Sequence, residues 1–161
     1  VSMQSAEIWK GTIEAFTYPD EFSVCDGLAE PTEGVTIGQQ DRKVFGLSYR
    51  TKVGDDVGGQ DAGYKLHLVY GCQAAPSEKA YTTINDSPEA ITFSWEVSTT
   101  PVPVEDHKPT SILTIDSRKV DETKLAALEA ILYGTDGTGV PPTGGTIARL
   151  PMPDEVITLL T

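Results

Sequence analysis

The chain has 161 residues, which suits one domain, and no apolar stretch approaches the ~18 residues of a membrane span. It carries 24 acidic and 12 basic side chains, a formal net charge of −12, so it repels phosphates and is a poor candidate for gripping nucleic acid. Two cysteines, Cys25 and Cys72, are too few for a disulfide scaffold or a four-cysteine zinc site. We expect two free buried thiols, with a single bridge as the alternative.

Alternation of apolar and polar residues with period two dominates the sequence and predicts strands that each have one buried face. In chain order the predicted strands cover residues 7–17, 43–53, 64–72, 91–97, 111–116 and 146–150. In the second of them the apolar phase consists of Phe45, Leu47, Tyr49 and Val53. Strands with one polar face are typical of an antiparallel sheet, so the sequence predicts a mainly β fold.

One segment, from about Asp121 to Tyr133, carries the signals of a helix. Asp121 is placed to cap the first-turn N–H groups, and Gly134 supplies a left-handed stop. Its apolar stripe consists of Leu125, Leu128 and Leu132. A single helix among strands is expected to cover one face or one open end of a sheet.

Three connections are long and polar. Residues 54–63 contain three acids and four glycines, which predicts a long, mobile hairpin tip. Residues 99–109 carry Pro101, Pro103 and Pro109, which predicts an extended segment outside any central strand. Residues 134–145 are rich in Gly, Thr and Pro and predict a flexible loop.

Patterns for catalysis or metal binding are weak. Adjacent carboxylates such as Asp55 and Asp56 stand beside Gly in predicted loops, where they are solvated. Ser48 and His67 lack the Gly-x-Ser-x-Gly turn of a hydrolase, and the acidic segment 55–61 lacks the spacing and closing Glu of a calcium loop. We predict a protein that is not an enzyme, with no catalytic residue, metal or cofactor.

Aromatic residues fall mainly on the apolar phase of the predicted strands, which favours core packing. An exposed row containing Trp9 and Trp95 would instead suit a β-sandwich binding module, for example one that binds carbohydrate. That binding module is the alternative function.

Several strings of the sequence occur in an order that resembles a known family. They include GTIEAFTYPDEF (11–22), QDRKVFGLSYRT (40–51), YKLHLVYG (64–71), NDSPEAITFSW (85–95), TTPVP (99–103) and ARLPMPDEV (148–156). Together they resemble the major tail proteins that build the tail tube of long-tailed, non-contractile bacteriophages. The likeness runs from about residue 7 to residue 161, and it lies in the order of the strings.

The resemblance implies an antiparallel β-sandwich of the phage tail tube type with one flanking helix and long loops, a single tail tube domain over residues 1–161. Family subunits join edge to edge into hexameric rings, which stack into a hollow tube that conducts double-stranded DNA. Members usually have a further N-terminal segment before the stretch that resembles residues 5–22, so this chain is expected to lack one.

The resemblance also implies the protein's surroundings. The expected partners are further copies of the chain, the tape-measure protein and the tail terminator and initiator proteins. Double-stranded DNA is expected to pass without specific binding, and no membrane is involved. The expected location is the tail of the virion, and the host cytoplasm during assembly. The acidic charge either lines the bore, where it repels DNA, or keeps the chain soluble before assembly.

Three segments are candidate assembly contacts. The candidate inter-ring loop consists of Gly54, Asp55, Asp56, Gly58, Gly59, Asp61 and Gly63. The candidate inter-subunit contacts are Pro101, Pro103, Arg149, Leu150, Val156 and Leu159. The apolar C-terminal residues among them either reach across to a neighbouring subunit or pack on their own domain as a last strand.

Overall fold

A computed structural model describes residues 8–57, 59–76 and 91–161. The chain is mainly β, with antiparallel pairing, which confirms the predicted class. It divides into two compact units. Unit 1 consists of Val1–Phe45 and Gly71–Thr100, and unit 2 consists of Gly46–Tyr70 and Pro101–Thr161.

Unit 1 is built on a short antiparallel sheet. Its elements are β1 (Lys10–Ala15), a 3₁₀ turn (Asp20–Phe22), β2 (Ala29–Thr32), β3 (Val35–Ile37), the start of β4 (Phe45–Asp55), the end of β5 (Gly59–Ala74) and β6 (Phe93–Thr99). β1 pairs with β6 along its whole length, and β6 also pairs with the last residues of β5. The strands predicted at residues 7–17 and 91–97 are confirmed with shifted ends. The β2–β3 hairpin was not predicted.

Aromatic rings form the core of unit 1. Trp95 is 1% exposed, and its ring contacts those of its neighbours at centroid distances of 5.2–5.9 Å. The connected rings are Tyr18, Phe22, Phe45, Phe93 and Trp95. Core packing of strand aromatics is therefore confirmed for β6.

A buried carboxylate fixes the 20–28 segment to this core. The Nε1 of Trp95 donates to Asp26 Oδ1 at 2.9 Å, and Asp26 is 6% exposed. Arg42 Nη1 donates to the same oxygen at 3.4 Å and to the carbonyls of Ala74 and Ala75 at 3.1 and 3.3 Å. The buried charge is therefore paired and hydrogen-bonded, which is the condition for burying it at tolerable cost.

Unit 2 contains most of β4 and β5 and everything after residue 100. Its remaining elements are β7 (Val102–Val104), β8 (His107–Thr110), β9 (Ile112–Asp116), α1 (Glu122–Tyr133) and α2 (Pro153–Leu160). β5 pairs with β4 and, from Lys65 to Val69, with β9. β7 and β8 form a separate two-stranded sheet, so the proline-rich segment lies outside the main sheet as predicted.

The predicted helix is confirmed as α1. Asp121 Oδ1 accepts from the N–H of Lys124 at 3.0 Å, and Gly134 follows the helix with φ +71°. Its three predicted leucines are buried against one face of β5. The core of unit 2 consists of Leu66, Leu68, Tyr70, Ile115, Leu125, Leu128, Leu132 and Val156.

Two predictions for the C-terminal region were wrong. Residues 146–150 do not form a strand: Thr146 makes one isolated bridge with Thr135, and the N–H of Arg149 is donated to the carbonyl of Ile131 near the end of α1. An extended segment becomes a strand only when a ladder partner is available. The last apolar residues form α2 and not a last strand, so the fold has a second helix beyond the one expected.

The apolar phase of β4 does not face the helices. Arg50 Nη2 donates to Glu129 Oε1 on α1 at 2.6 Å, so Arg50 lies on the helix face and its neighbours Tyr49 and Thr51 lie on the other. On that opposite face Tyr49 stacks on His67 of β5. β4 is therefore a regular strand, as predicted, but its apolar residues are only half-buried or exposed.

Candidate assembly surfaces

The candidate inter-ring loop is a hairpin tip, as predicted, but not a long loop. β4 continues through Gly54 and ends at Asp55, and its partner β5 begins at Gly59. The carboxylate of Asp55 accepts from the N–H of Val57 at 2.9 Å, which closes the turn. Backbone hydrogen bonds between strands do not require apolar side chains, so strands can extend into a Gly- and Asp-rich segment that shows no alternation of apolar residues. Asp56 is exposed; Gly58 and the side chain of Asp61 lie outside the described part of the chain.

The ribbon formed by these strand ends extends beyond the rest of unit 2's sheet. β9 pairs with β5 only from Lys65 onward, and the turn after β9 packs on Gly63 through Arg118. From Gly63 to Gly59 the ribbon therefore continues for about 14 Å, taking ~3.4 Å per residue. Val57, at its end, is 99% exposed. We call residues 54–63 the tip ribbon.

Pro101 immediately precedes β7, and Pro103 is its middle residue. Pro101 is half-buried and Pro103 is exposed. The turn between β7 and β8 is held to its own unit, since the N–H of Glu105 donates to Asp154 Oδ1 in the first turn of α2 at 3.0 Å. The contact proposed for these prolines with a second copy stays a prediction.

The C-terminal candidates lie mostly inside unit 2. Val156 is 1% exposed, and Leu150 and Leu159 are half-buried against the core. The apolar residues thus pack on their own unit, as one of the two alternatives expected, but they do so as the helix α2 and not as a last strand. Arg149 is exposed and forms a two-pronged ion pair with Glu155 on α2.

Two carboxylates of unit 2 are held in the charged form by arginines. Arg118 Nε and Nη2 donate to Asp116 at 3.0 and 2.8 Å and hold its pKa well below the usual range. Arg149 likewise lowers the pKa of Glu155 through its hydrogen bonds. An acid catalyst needs a raised carboxyl pKa, and these two shifts have the opposite direction.

A polar cluster that the sequence patterns did not predict joins β4 and β5, next to the tip ribbon, to α1. Glu129 Oε1 accepts from Arg50 Nη2 and from the hydroxyl of Tyr64, each at 2.6 Å. The guanidinium lies 4.4 Å from the centroid of the Tyr64 ring and 5.6 Å from that of Tyr133. The hydrogen bond to Glu129 raises the pKa of Tyr64. The one sequence signal for this cluster is the i, i+4 spacing of Glu129 and Tyr133, which places both side chains on the same face of α1.

His67 is held between two threonines and not by a serine. Its Nε2 lies 2.9 Å from Thr51 Oγ1 and its Nδ1 lies 3.0 Å from Thr114 Oγ1. The ring also stacks on Tyr49 at a centroid distance of 4.6 Å. Ser48 belongs to the other face of β4, so Ser48 and His67 do not form a nucleophile–base pair.

Other predicted features are also placed by the structure. Cys25 and Cys72 are buried thiols, as predicted, and burial raises the pKa of Cys72 to about 11. Trp95 is buried and offers no stacking surface for a sugar, while Trp9 is half-buried over Gly11.

Within residues 8–57, 59–76 and 91–161, no three His, Cys, Asp or Glu side chains are grouped to hold a metal. In the same ranges no helix is long and apolar enough to cross a membrane.

Net charge is divided unevenly between the units. The segments of unit 1 contain 12 acidic and 4 basic side chains, a net charge of −8. Those of unit 2 contain 12 and 8, a net charge of −4. On the exposed phase of the β1–β6 pair lie two of the acids, Glu14 and Glu96. Unit 1 is therefore the more strongly acidic part of the chain.

Comparisons of the chain with protein-family models, with curated proteins and with solved structures each found no significant match. Over residues 8–57, 59–76 and 91–161 the structure defines a mainly β, antiparallel class with two helices and a projecting ribbon.

Proposed function

We propose that the protein is the repeating structural subunit of a phage tail tube. In this proposal six copies form a ring of β-sandwich subunits, and the rings stack into a hollow tube that conducts double-stranded DNA. The ordered sequence resemblance motivates the proposal, and the mainly β, antiparallel structure is compatible with it. The tape-measure, terminator and initiator proteins are the proposed partners in the virion tail.

The tip ribbon is the observation that carries the proposal. It extends a two-stranded, polar arm whose end presents a fully exposed valine, Val57. Burying one such side chain is worth about 1.5–3 kcal/mol. In a ring of six the contribution is repeated six times, so a modest contact per subunit holds two rings together.

The acidic charge suits a DNA conduit. Six copies at −12 each carry −72 before counterions. Where part of that charge lines the bore, the wall repels DNA phosphates over roughly 8–10 Å at physiological salt, so DNA slides without binding. The excess of acid in unit 1 makes it the proposed bore-facing unit.

The first test is the mass of the chain by light scattering over a range of concentrations, with negative-stain imaging of the heaviest fraction. The proposal expects rings or tubes with a hollow centre. A chain that stays monomeric at its highest soluble concentration, even when tail initiator protein is added, contradicts the proposal.

The ribbon's role is tested by Val57→Asp, which places a charge at the end of the arm. We expect this variant to form rings that no longer stack. Val140→Asp is the matched control, because Val140 is also fully exposed but lies in the connection formed by residues 134–145. Normal tubes from Val57→Asp, or equal loss of stacking in both variants, rule out a specific contact by the ribbon.

A further inference from the structure

The sequence contains two Asp-Gly pairs, Asp26–Gly27 and Asp136–Gly137. An aspartate followed by glycine can cyclise, because glycine has no side chain to hinder the approach of its backbone nitrogen to the carboxyl carbon. The reaction requires a carboxyl group and an N–H group that are free to meet. The structure surrounds the two pairs in opposite ways.

The carboxylate of the first pair is held in the core of unit 1. Asp26 is 6% exposed, and its Oδ1 accepts from the indole of Trp95 at 2.9 Å and from Arg42 at 3.4 Å. The carbonyl of Gly27 accepts from the N–H of Gln40 at 2.9 Å, which fixes the next residue as well. This carboxyl group therefore becomes available to the nitrogen of Gly27 only when unit 1 opens locally.

The second pair lies in an exposed hairpin of unit 2. Two isolated bridges between threonines hold this hairpin together: Thr135 with Thr146, and Thr138 with Thr143. Asp136 and Gly137 lie between the bridges, opposite Gly144 and Gly145, which have no side chains to bind a carboxylate. Asp136 is exposed, and among the described residues neither its carboxylate nor the N–H of Gly137 has a hydrogen-bond partner.

The hairpin also requires the residue that makes this pair reactive. A Cβ at position 137 would lie 2.6 Å from the backbone nitrogen of Thr143, so only glycine fits there. The fold thus places an unhindered backbone nitrogen directly after an exposed carboxyl group that has no partner.

We infer that Asp136 is a site of spontaneous modification, at which aspartate converts to isoaspartate. The nitrogen of Gly137 forms a bond to Cγ of the protonated Asp136 carboxyl group, and the hydroxyl of that group leaves as water with the amide proton. Water then adds to the cyclic imide at one of its two carbonyl carbons. Addition at Cγ restores aspartate, whereas addition at the backbone carbonyl carbon gives isoaspartate.

Isoaspartate keeps one carboxylate but lengthens the backbone by one methylene, because the chain now passes through Cβ and Cγ. The two threonine bridges are separated by three residues on each strand of the hairpin. Lengthening one strand alone therefore moves the bridges out of register. The inference concerns the single chain and does not depend on the proposed function.

Ageing of the folded and the urea-unfolded chain at mildly acidic pH tests the inference. Trypsin separates the two pairs into peptides 11–42 and 125–149, and isoaspartate in each is counted by mass spectrometry with electron-transfer fragmentation. In the folded chain we expect isoaspartate to form at Asp136 about tenfold faster than at Asp26, or more, because Asp26 reacts only after local opening. In urea the two rates should agree within about twofold. Equal rates in the folded chain, or an unchanged difference in urea, overturn the inference.

A matched variant tests the effect on the hairpin. Asp136→Glu keeps the charge but must form a larger ring, which closes slowly. We expect the amides of Thr138 and Thr143, which are hydrogen-bonded to each other, to lose protection from hydrogen exchange in the aged wild type and to keep it in the aged variant. Equal loss in both chains, or no loss in a wild type that contains isoaspartate, overturns the argument that the modification separates the bridges.

Discussion

Replacement of Asp26 tests whether the buried carboxylate holds unit 1 together. In Asp26→Ala the indole N–H of Trp95 loses its acceptor while staying 1% exposed. Arg42 loses its carboxylate partner but keeps the carbonyls of Ala74 and Ala75. Asp26→Asn is the matched variant, because its side-chain oxygen can still accept from the indole.

The magnitude follows from these contacts. A buried donor left without an acceptor costs about 1–3 kcal/mol, and loss of one charged partner by a partly buried guanidinium adds about 1 kcal/mol. We expect Asp26→Ala to lower the free energy of unfolding by about 3 kcal/mol and Asp26→Asn to lower it by about 1 kcal/mol.

Urea unfolding followed by circular dichroism measures both values, with an unchanged slope as evidence that only stability differs. A double-mutant cycle with Trp95→Phe, which lacks the N–H, is expected to give a coupling energy of about 1 kcal/mol or more. If Asp26→Ala unfolds within about 0.5 kcal/mol of the wild type, the carboxylate does not stabilise the unit as argued.

Three further predictions concern single residues. Burial raises the pKa of the Cys72 thiol from 9.0 to about 11. As the pH rises, the thiol therefore loses its proton in the unfolded chain before it does so in the folded chain, and the free energy of unfolding should fall between pH 9 and 11. Cys72→Ala should flatten that decline, as measured by urea unfolding at a series of pH values. Gly134→Ala should lower the free energy of unfolding by about 2 kcal/mol or more, because φ at Gly134 is +71° and the new Cβ would lie 2.4 Å from the carbonyl oxygen of Thr146. The control Gly34→Ala has a similar φ but no atom within 4 Å of the new Cβ, so it should lower stability by only about 1 kcal/mol in thermal melts. Ser111→Ala should be neutral or stabilising by up to about 1 kcal/mol in the same melts, because the buried Ser111 hydroxyl has no hydrogen-bond partner among the described residues; a clear loss of stability would reveal one.

Local sequence signals determined the elements whose conformation depends on near neighbours. The cap at Asp121, the leucine stripe and Gly134 together specified α1, and the structure places each of them in that role. Alternation likewise specified the strands β4, β5, β6 and β9. These signals act over a few residues, through backbone dihedrals and side-chain periodicity, so they can be read without knowing the fold.

Tertiary contacts decided the rest. Residues 146–150 have strand composition, but Thr146 pairs only with Thr135 and the N–H of Arg149 is donated to the carbonyl of Ile131 in α1. The Gly/Asp tip ribbon, in contrast, becomes strand because β4 and β5 pair there. The apolar phase of β4 faces away from the helices, and Arg50 on the other face donates to Glu129 of α1. Strand pairing and the choice of a buried face depend on residues tens of positions apart, and the sequence pattern of one segment does not contain its partner.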